Sequence, residues 1–346
     1  MTLQTIADEV GVSRMTVSNA FSRPDQLSGA LRDQIFEVAN RLGYTGPDPA
    51  ARALARGRTG VVGLVLGGSP REAFVDDVAV GFVRAVAAEL ADAGYSLVLL
   101  HSAPRAGTEP ARNVAMDGAI IYSVDPQAHE VTVLRERGLA IVTVEGAEVE
   151  GIPRVAVDDA GGAEAAARHL VELGHRDIAV VTSGLDAAGL DPDSPHLSEG
   201  GTATTRARLR GWMRALAGTG ARVRLVGTPG IVVDELLRSR VGQLLSEPPT
   251  AILAFSDLAA LDVIAQAAGR GLRVPEDLSV VGFDDSPVAS LVTPPLTTVH
   301  QDVAAKGATA ARMLLSLLGS DRPVADVLLA TGLVVRGSTS RPSTGA

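Results

Sequence analysis

The sequence predicts two unlike parts. One is an N-terminal all-α domain, residues 1–46, built around a helix-turn-helix; the other is an α/β two-lobed body of parallel sheets flanked by helices. Three observations carry this. The first 60 residues pair capping residues with helical apolar spacing. From Gly60 onward, apolar strand runs alternate with helical stretches. The length of 346 residues exceeds what one ordinary core accommodates.

In the head, Thr2 can cap a helix ending near Val10, with Ile6, Ala7 and Val10 on one face. Gly11 permits a tight turn. Ser13 can cap a second helix over 14–21, followed by a loop through Pro24. Ser28 can cap a third, with Leu31, Ile35, Val38, Ala39 and Leu42 inward and Gly43 ending it. Tyr44 is expected to close this small core. Residues 47–59 read as a linker that carries a short helix over 50–56.

The body, residues 60–340, opens with a buried-strand run at 61–66 and a helix at 82–93. Further strands are expected at 96–100, 118–122, 140–144, 178–182, 251–255 and 279–283. Helices are expected at 163–173, 258–268 and 303–318. An N-terminal lobe of about 60–157 and 289–322 and a C-terminal lobe of about 158–288 and 323–340 divide these elements. The stretch 184–201 is polar and rich in Gly, Asp, Pro and Ser, so a mobile loop is expected there. Residues 338–346 read as a frayed end, of which 341–346 form the tail.

The chain lacks cysteine, which removes disulfides and thiolate chemistry and fits a reducing compartment. The first residues show no basic stretch followed by an apolar one, so no secretory signal is expected. No apolar run is long enough to span a bilayer, and no membrane partner is expected. The net charge is −9, yet residues 1–60 balance to +1 and the remainder to −10. A near-neutral head on an acidic body has the sign of asymmetry that DNA contact needs. Lys306 is the single lysine among 31 basic residues, which reads as a composition bias.

In a helix-turn-helix the second helix projects outward, where it can enter a major groove. Arg14, Met15, Ser18 and Asn19 are its outward positions, with Val17 and Phe21 inward. Arg14 can donate to guanine or phosphate, Asn19 can pair with adenine through two hydrogen bonds, and Met15 can touch a thymine methyl. Thr16, Ser18 and the helix N-terminus can hold phosphate. A plain three-helix packing module is the alternative for so general a pattern.

The wording is more specific than the pattern. Thr2-Leu3-Gln4-Thr5-Ile6-Ala7 and Gly11-Val12-Ser13-Arg14-Met15-Thr16-Val17-Ser18-Asn19 closely resemble the DNA-binding head of the lactose-repressor (LacI/GalR) family. So do Arg41-Leu42-Gly43-Tyr44 and Ala50-Ala51-Arg52-Ala53-Leu54. The resemblance implies that this last stretch is a hinge helix that orders on operator DNA and pairs with its twin. It implies that Leu54 wedges into the minor groove at a central CG step of a pseudo-palindromic double-stranded operator, and Ala51 is a further expected DNA-binding residue. An apolar wedge kinks a step at a cost of roughly a few kcal/mol, repaid by wrapped contacts.

The resemblance continues through the body, in Val157-Asp158-Asp159, Leu173-Gly174-His175-Arg176, Arg208-Leu209-Arg210-Gly211-Trp212, Phe255-Ser256-Asp257, Val281-Gly282-Phe283-Asp284-Asp285 and Pro295-Leu296-Thr297-Thr298-Val299-His300-Gln301. It implies a body similar to periplasmic sugar-binding proteins, with a small-molecule effector, expected to be a sugar, between the lobes. Asp284 follows a strand, and ligands of open α/β sheets sit beyond such strand ends. A carboxylate there can accept from vicinal hydroxyls, and Arg208 can donate a fork of bonds. A structural ion pair is the alternative reading of these two. Family positions add Ser256, in place of a usual Asn or Gly, with Phe74 as wall and Gln301 as rim. Asp158 lies near the crossover, and His169 and His175 read as structural.

A homodimer follows from the task, because two heads on one frame multiply affinity. The resemblance puts part of the dimer face on the helix at 82–93; no heptad tail for a tetramer is present. The expected function is a cytoplasmic, nucleoid-associated repressor whose operator affinity an effector modulates. An activator or a ligand-independent regulator of the same fold has the same signature, and a solute-binding protein for transport lacks the head. Nucleophile elbow, phosphate loop, zinc and dinucleotide motifs are not found, so neither an enzyme nor a cofactor nor a metal is expected.

Overall fold

The computed structural model describes residues 1–46, 48–67, 74–101, 109–124, 127–186, 201–230, 233–320 and 322–343. The chain divides into two compact units, Met1–Gly60 and Val61–Ala346.

The head contains α1 (Leu3–Val10), α2 (Arg14–Ser22), α3 (Gly29–Arg41) and α4 (Pro49–Arg56). The three expected caps form. The hydroxyl oxygens of Thr2, Ser13 and Ser28 accept from the backbone N–H groups of Thr5, Thr16 and Leu31. Gly11 ends α1 at φ +78°, a left-handed conformation that costs an L side chain strain. Ile6, Ala7, Val17, Ala20, Ile35, Val38 and Ala39 fill the core. Phe21 packs edge-on against Phe36 and Tyr44, at centroid distances of 5.1 and 5.7 Å. The loop expected at Pro24 is a short 3₁₀ turn, Pro24–Gln26.

The body runs β1 (Val61–Leu66), α5 (Asp77–Asp92), β2 (Ser96–His101), α6 (Pro110–Asn113), β3 (Gly118–Tyr122), α7 (His129–Glu136), β4 (Ala140–Val144), β5 (Arg154–Val157) and α8 (Asp159–Leu173). It continues β6 (Asp177–Ser183), α9 (Ala203–Leu216), β7 (Arg222–Thr228), α10 (Glu235–Leu244), β8 (Ala251–Ala254), α11 (Asp257–Ala268) and β9 (Ser279–Asp284). It ends β10 (Thr297–Gln301), α12 (Val303–Gly319), β11 (Val327–Leu329) and β12 (Thr331–Val334). The strands form two six-stranded sheets, β11-β5-β4-β3-β1-β2 and β12-β10-β9-β8-β6-β7. Neighbours pair in parallel, except that β12 runs antiparallel to β10. Both faces of each sheet are covered by apolar clusters, as buried parallel strands require. No helix among the described residues is long and apolar enough to cross a membrane.

Several expectations need correction. The lobes interleave differently: β10 lies in the second sheet although 289–322 was assigned to the first lobe. Conversely β11 lies in the first sheet although 323–340 was assigned to the second. The chain therefore crosses between lobes after Val157, after Gln301, and between Leu329 and Thr331. An apolar strand run looks the same whichever sheet receives it, so local pattern does not assign a strand to its partner.

Two helices start earlier than their apolar spacing indicated. Asp76 caps α5 by accepting from Val78 N at 2.9 Å, and Asp158 caps α8 by accepting from Gly161 N at 2.9 Å. The residues 338–340 are not frayed. Ser338 Oγ donates to Val280 O at 2.6 Å and accepts from Thr297 N at 2.8 Å, and Ser340 N donates to Ser279 Oγ at 3.0 Å. Small polar residues imitate a loose tail in sequence, but here each one meets a buried polar group. Most of the stretch 184–201 lies outside the described residues, as do Pro47 and 344–346.

Candidate functional site

Parallel strands of both sheets end at one cleft. It encloses about 870 Å³, within the ~300–1,000 Å³ typical of small-molecule sites. Leu66, Tyr122, Ser183, Asp284 and Gln301, each the last residue of its strand, line it. The N-terminal turns of α5, α9 and α11 supply much of the rest.

Arg208 sits two turns into α9 and is 3% exposed. Gly211, one turn later, lets α9 press on α8: a Cβ there would lie 2.1 Å from Ala160 O. That approach brings the guanidinium to Asp159 at the start of α8, with Nε donating to Oδ1 at 2.9 Å. Nη1 donates to Phe255 O, and Nη2 lies 3.5 Å from Asp284 Oδ1. The guanidinium also lies over the Phe283 and Phe255 rings, 3.5 and 4.5 Å from their centroids. Burial works against the charge of Arg208, but Asp159 and Asp284 outweigh it and hold its pKa above the ordinary value.

Asp284 ends β9 with φ +116°, a conformation rare for a side chain other than glycine's, and Asp285 follows at φ +55°. Its carboxylate accepts from Gln301 Nε2 at 2.7 Å. Burial pushes its pKa well above the usual carboxylate range, against the pull of Arg208. Burial likewise raises Asp159 and Asp76. Beside them Asp257 accepts from Ser286 N, Ser286 Oγ and Thr298 Oγ1, which ties the loop after β9 to β10.

Arg208, Ser256, Asp284 and Gln301 thus meet in one cavity. Arg208 and Asp284 are also a buried ion pair, so both readings of these two residues describe the same geometry. Ser256 caps α11, accepting from Ala259 N at 3.2 Å, and lines the cleft. Phe74 does not belong to the lining: it is 55% exposed, and Val75 and Asp76 stand at the wall. The reason is the earlier start of α5, which turns Asp76 and Val78 to the cleft. Asp158 lies at the crossover, donating from N to Leu329 O at 2.9 Å. His169 shares a 3.0 Å hydrogen bond with Thr339 Oγ1, and His175 Nε2 donates to Ser340 O at 2.9 Å.

Sequence reasoning missed four residues. Thr182 and Ser183 end β6 with buried hydroxyls that have no hydrogen-bond partner among the described residues, and both line the cleft. Lys306 is wholly buried on α12 and pairs with Glu145, which lines the cleft. Lys306 Nζ also donates to Gln301 Oε1 at 2.9 Å. A composition bias does not account for a buried ammonium, because removing one partner of such a pair typically costs about 3–5 kcal/mol. A signal was present: Lys306 interrupts the apolar stripe of Ala310, Ala311, Met313 and Leu314 at helical spacing.

In the head, Arg14 and Met15 are exposed on α2, while Thr16, Ser18 and Asn19 are half-buried. Thr16 Oγ1 and Ser13 Oγ share a 2.8 Å hydrogen bond at the helix N-terminus. Ala51 and Leu54 are exposed on α4, Leu54 at 85%. An eight-residue helix with so exposed a leucine has little to stabilise it alone.

Residues 2–46 match the profile of bacterial regulatory proteins of the lacI family, and residues 167–339 that of a periplasmic binding protein-like domain. An HTH-type transcriptional regulator of Mycolicibacterium smegmatis is 35% identical, the match covering 99% of this chain and 96% of that one. Among solved structures, a transcriptional regulator CelR–cellobiose complex is 28% identical with a TM-score of 0.67, covering 98% of this chain and 99% of that one. The lac repressor dimer bound to operator and the anti-inducer ONPF is 26% identical with a TM-score of 0.76, at the same coverage. With its capped helix-turn-helix and its two-sheet binding body, the chain belongs to the lacI family of transcriptional regulators.

Proposed function

We propose that the chain is a homodimeric, cytoplasmic repressor, without enzymatic activity, that holds a sugar or sugar derivative in the cleft and changes its operator affinity in response. Arg14, Met15 and Asn19 read base edges, Thr16 and Ser18 hold phosphates, and Leu54 with Ala51 enters the minor groove at a central CG step of a pseudo-palindromic operator. In the cleft, Asp284 accepts from ligand hydroxyls, Arg208 and Gln301 donate, and Ser256 contributes its hydroxyl oxygen. The carrying observation is the convergence of these four residues with the unpartnered hydroxyls of Thr182 and Ser183 on one cavity. Buried hydroxyls without partners are satisfied when a hydroxylated ligand arrives. The cellobiose and ONPF complexes of the similar regulators support a ligand of this size and kind.

Ligand shifts DNA affinity only by its differential affinity for the two states of the body. A gel shift on DNA upstream of the gene, with a panel that includes cellobiose and o-nitrophenyl galactosides, tests the reading. One sugar is expected to alter a specific shift, and Asp284→Ala is expected to keep the shift and lose the response. A full response in that variant removes Asp284 from the site.

A further inference from the structure

The buried polar groups of the cleft form one continuous chain: Asp159, Arg208, Asp284, Gln301, Lys306, Glu145. The first three belong to elements of the second lobe, and Gln301 is the last residue of β10 there. Lys306 is on α12, which packs on the first sheet, and Glu145 directly follows β4 of that sheet. The chain therefore crosses from lobe to lobe at the floor of the cleft, beside the covalent crossover between β10 and α12. We infer that Lys306 couples occupancy of the cleft to the angle between the lobes, by holding Gln301 on one side and Glu145 on the other.

The coupling follows from counting donors and acceptors. Gln301 gives its amide N–H to Asp284 and its carbonyl oxygen to Lys306, so its side chain is held at both ends. Asp284 Oδ1 already accepts from Gln301 Nε2 and faces Arg208 Nη2 at 3.5 Å, so a ligand hydroxyl that donates to this oxygen competes with Gln301 Nε2 for it. If Gln301 turns away, Lys306 loses one of the two acceptors it has among the described residues. An ammonium of zero exposure has no water to replace it, so the lysine must follow Gln301 or draw on Glu145. Either way the loss appears as a displacement between lobes.

The neighbouring residue shows where that displacement goes. A Cβ at Gly307 would lie 2.7 Å from Ala85 Cβ and 2.9 Å from Phe82 O. The turn of α12 that carries Lys306 is therefore in backbone contact with α5, with no slack between them. The start of α5 lines the cleft at Val78 and Ala79. Lys306 itself lies 5.7 Å from the centroid of Tyr122, which also lines the cleft and stacks on Phe82 of α5. A shift of Lys306 is thus passed to α5 by contact.

This inference rests on the cleft being the effector site, but its test uses no ligand. The chain has no native cysteine, so Glu136→Cys on α7 and Glu247→Cys beyond α10 place one spin label on each lobe without background. Labelled chain diluted in unlabelled chain gives the distance within one subunit. Lys306→Met and Asp284→Ala are each expected to move the inter-lobe distance distribution by about 1–2 Å, the scale of shifts between packed elements. The double variant is expected to move it no further than the larger single one, since both cut the same chain. An unchanged distribution in Lys306→Met, or two shifts that simply add, overturns the inference. If Lys306→Met does not fold, Glu145→Gln, which keeps size and shape, carries the same expectations and the same overturning results. An effector-responsive gel shift with unmoved distances refutes this inference alone; moved distances with no ligand bound in any condition refute the effector reading alone.

Discussion

The head and the cleft solve the problem of binding in opposite ways. On the head, Met15 and Leu54 are 71% and 85% exposed, and Arg14 is exposed as well. In the cleft, Arg208, Asp284 and Gln301 are 3%, 8% and 3% exposed and already bonded to one another. A DNA duplex brings its own shape and charge, so a protein face that reads it needs reach and few prior commitments. A small ligand brings little, so its site must be built beforehand by burial and mutual hydrogen bonds. The difference predicts that cleft substitutions change stability together with binding, while head substitutions change binding alone.

The largest expected effect is on the buried side. Arg208→Met removes the cation that Asp159 and Asp284 share and leaves Asp284 with Gln301 alone. Losing one partner of a buried pair costs about 3–5 kcal/mol, which in a unit of this size lowers the thermal midpoint on the order of 10 °C. A midpoint within about 2 °C of wild type places the pair outside the body's stability and breaks the comparison. Next comes the exposed side. Leu54→Ala is expected to weaken operator binding about 10- to 100-fold, the share of a wedge that unstacks one step. The melting curve should stay within about 0.5 kcal/mol of wild type, as for other surface positions. Wild-type operator affinity removes the wedge.

The smallest effect sharpens the contrast inside the body. Burial lowers the pKa of His175 below its ordinary 6.5, with the Ser340 carbonyl acting the other way. The unfolded chain therefore takes up a proton first as pH falls. The stabilisation is present above pH 6.5 and is lost as pH drops through the folded pKa. The raised carboxylates Asp76, Asp159 and Asp284 have the opposite sign: their contribution is present below pH 3.8 and is lost as pH rises through their folded values. Melting from pH 7 to 5 is expected to fall less in His175→Gln than in wild type, by about 1 kcal/mol or less for one such group. Parallel curves for the two remove His175 from the pH response.

How much of this was legible in the sequence follows the same division. The head was readable because its signals are local: Thr2, Ser13 and Ser28 accept from N–H groups three residues on, and the residues expected to face DNA lie on two short helices. Strands with mainly apolar runs, such as Gly118–Tyr122 and Ala140–Val144, were readable to the residue. Sheet membership was not, because β10 and β11 carry no mark of the lobe that takes them. Of the cleft, Arg208, Ser256, Asp284 and Gln301 came from motif positions, and geometry brings them together. Phe74 failed because the cap at Asp76 was overlooked. Thr182 and Ser183 look like any polar strand end, and Glu145 acquires its role only from a lysine that is distant in sequence.

The three crossovers also govern how the protein is made. A ribosome releases the chain from the N-terminus at about 5–20 residues per second, and segments fold once their partners are out. The first sheet receives its edge strand only at Val327–Leu329, and the second receives β10 and β12 only at Thr297–Gln301 and Thr331–Val334. The head is complete in sequence once its first 60 residues have been made, since its unit ends at Gly60. Both lobes must instead wait, with apolar sheet edges uncovered, until nearly the whole body has emerged. A newly made subunit is therefore expected to pass through a stage in which α1 to α3 of the head are packed and the two sheets of the body are not.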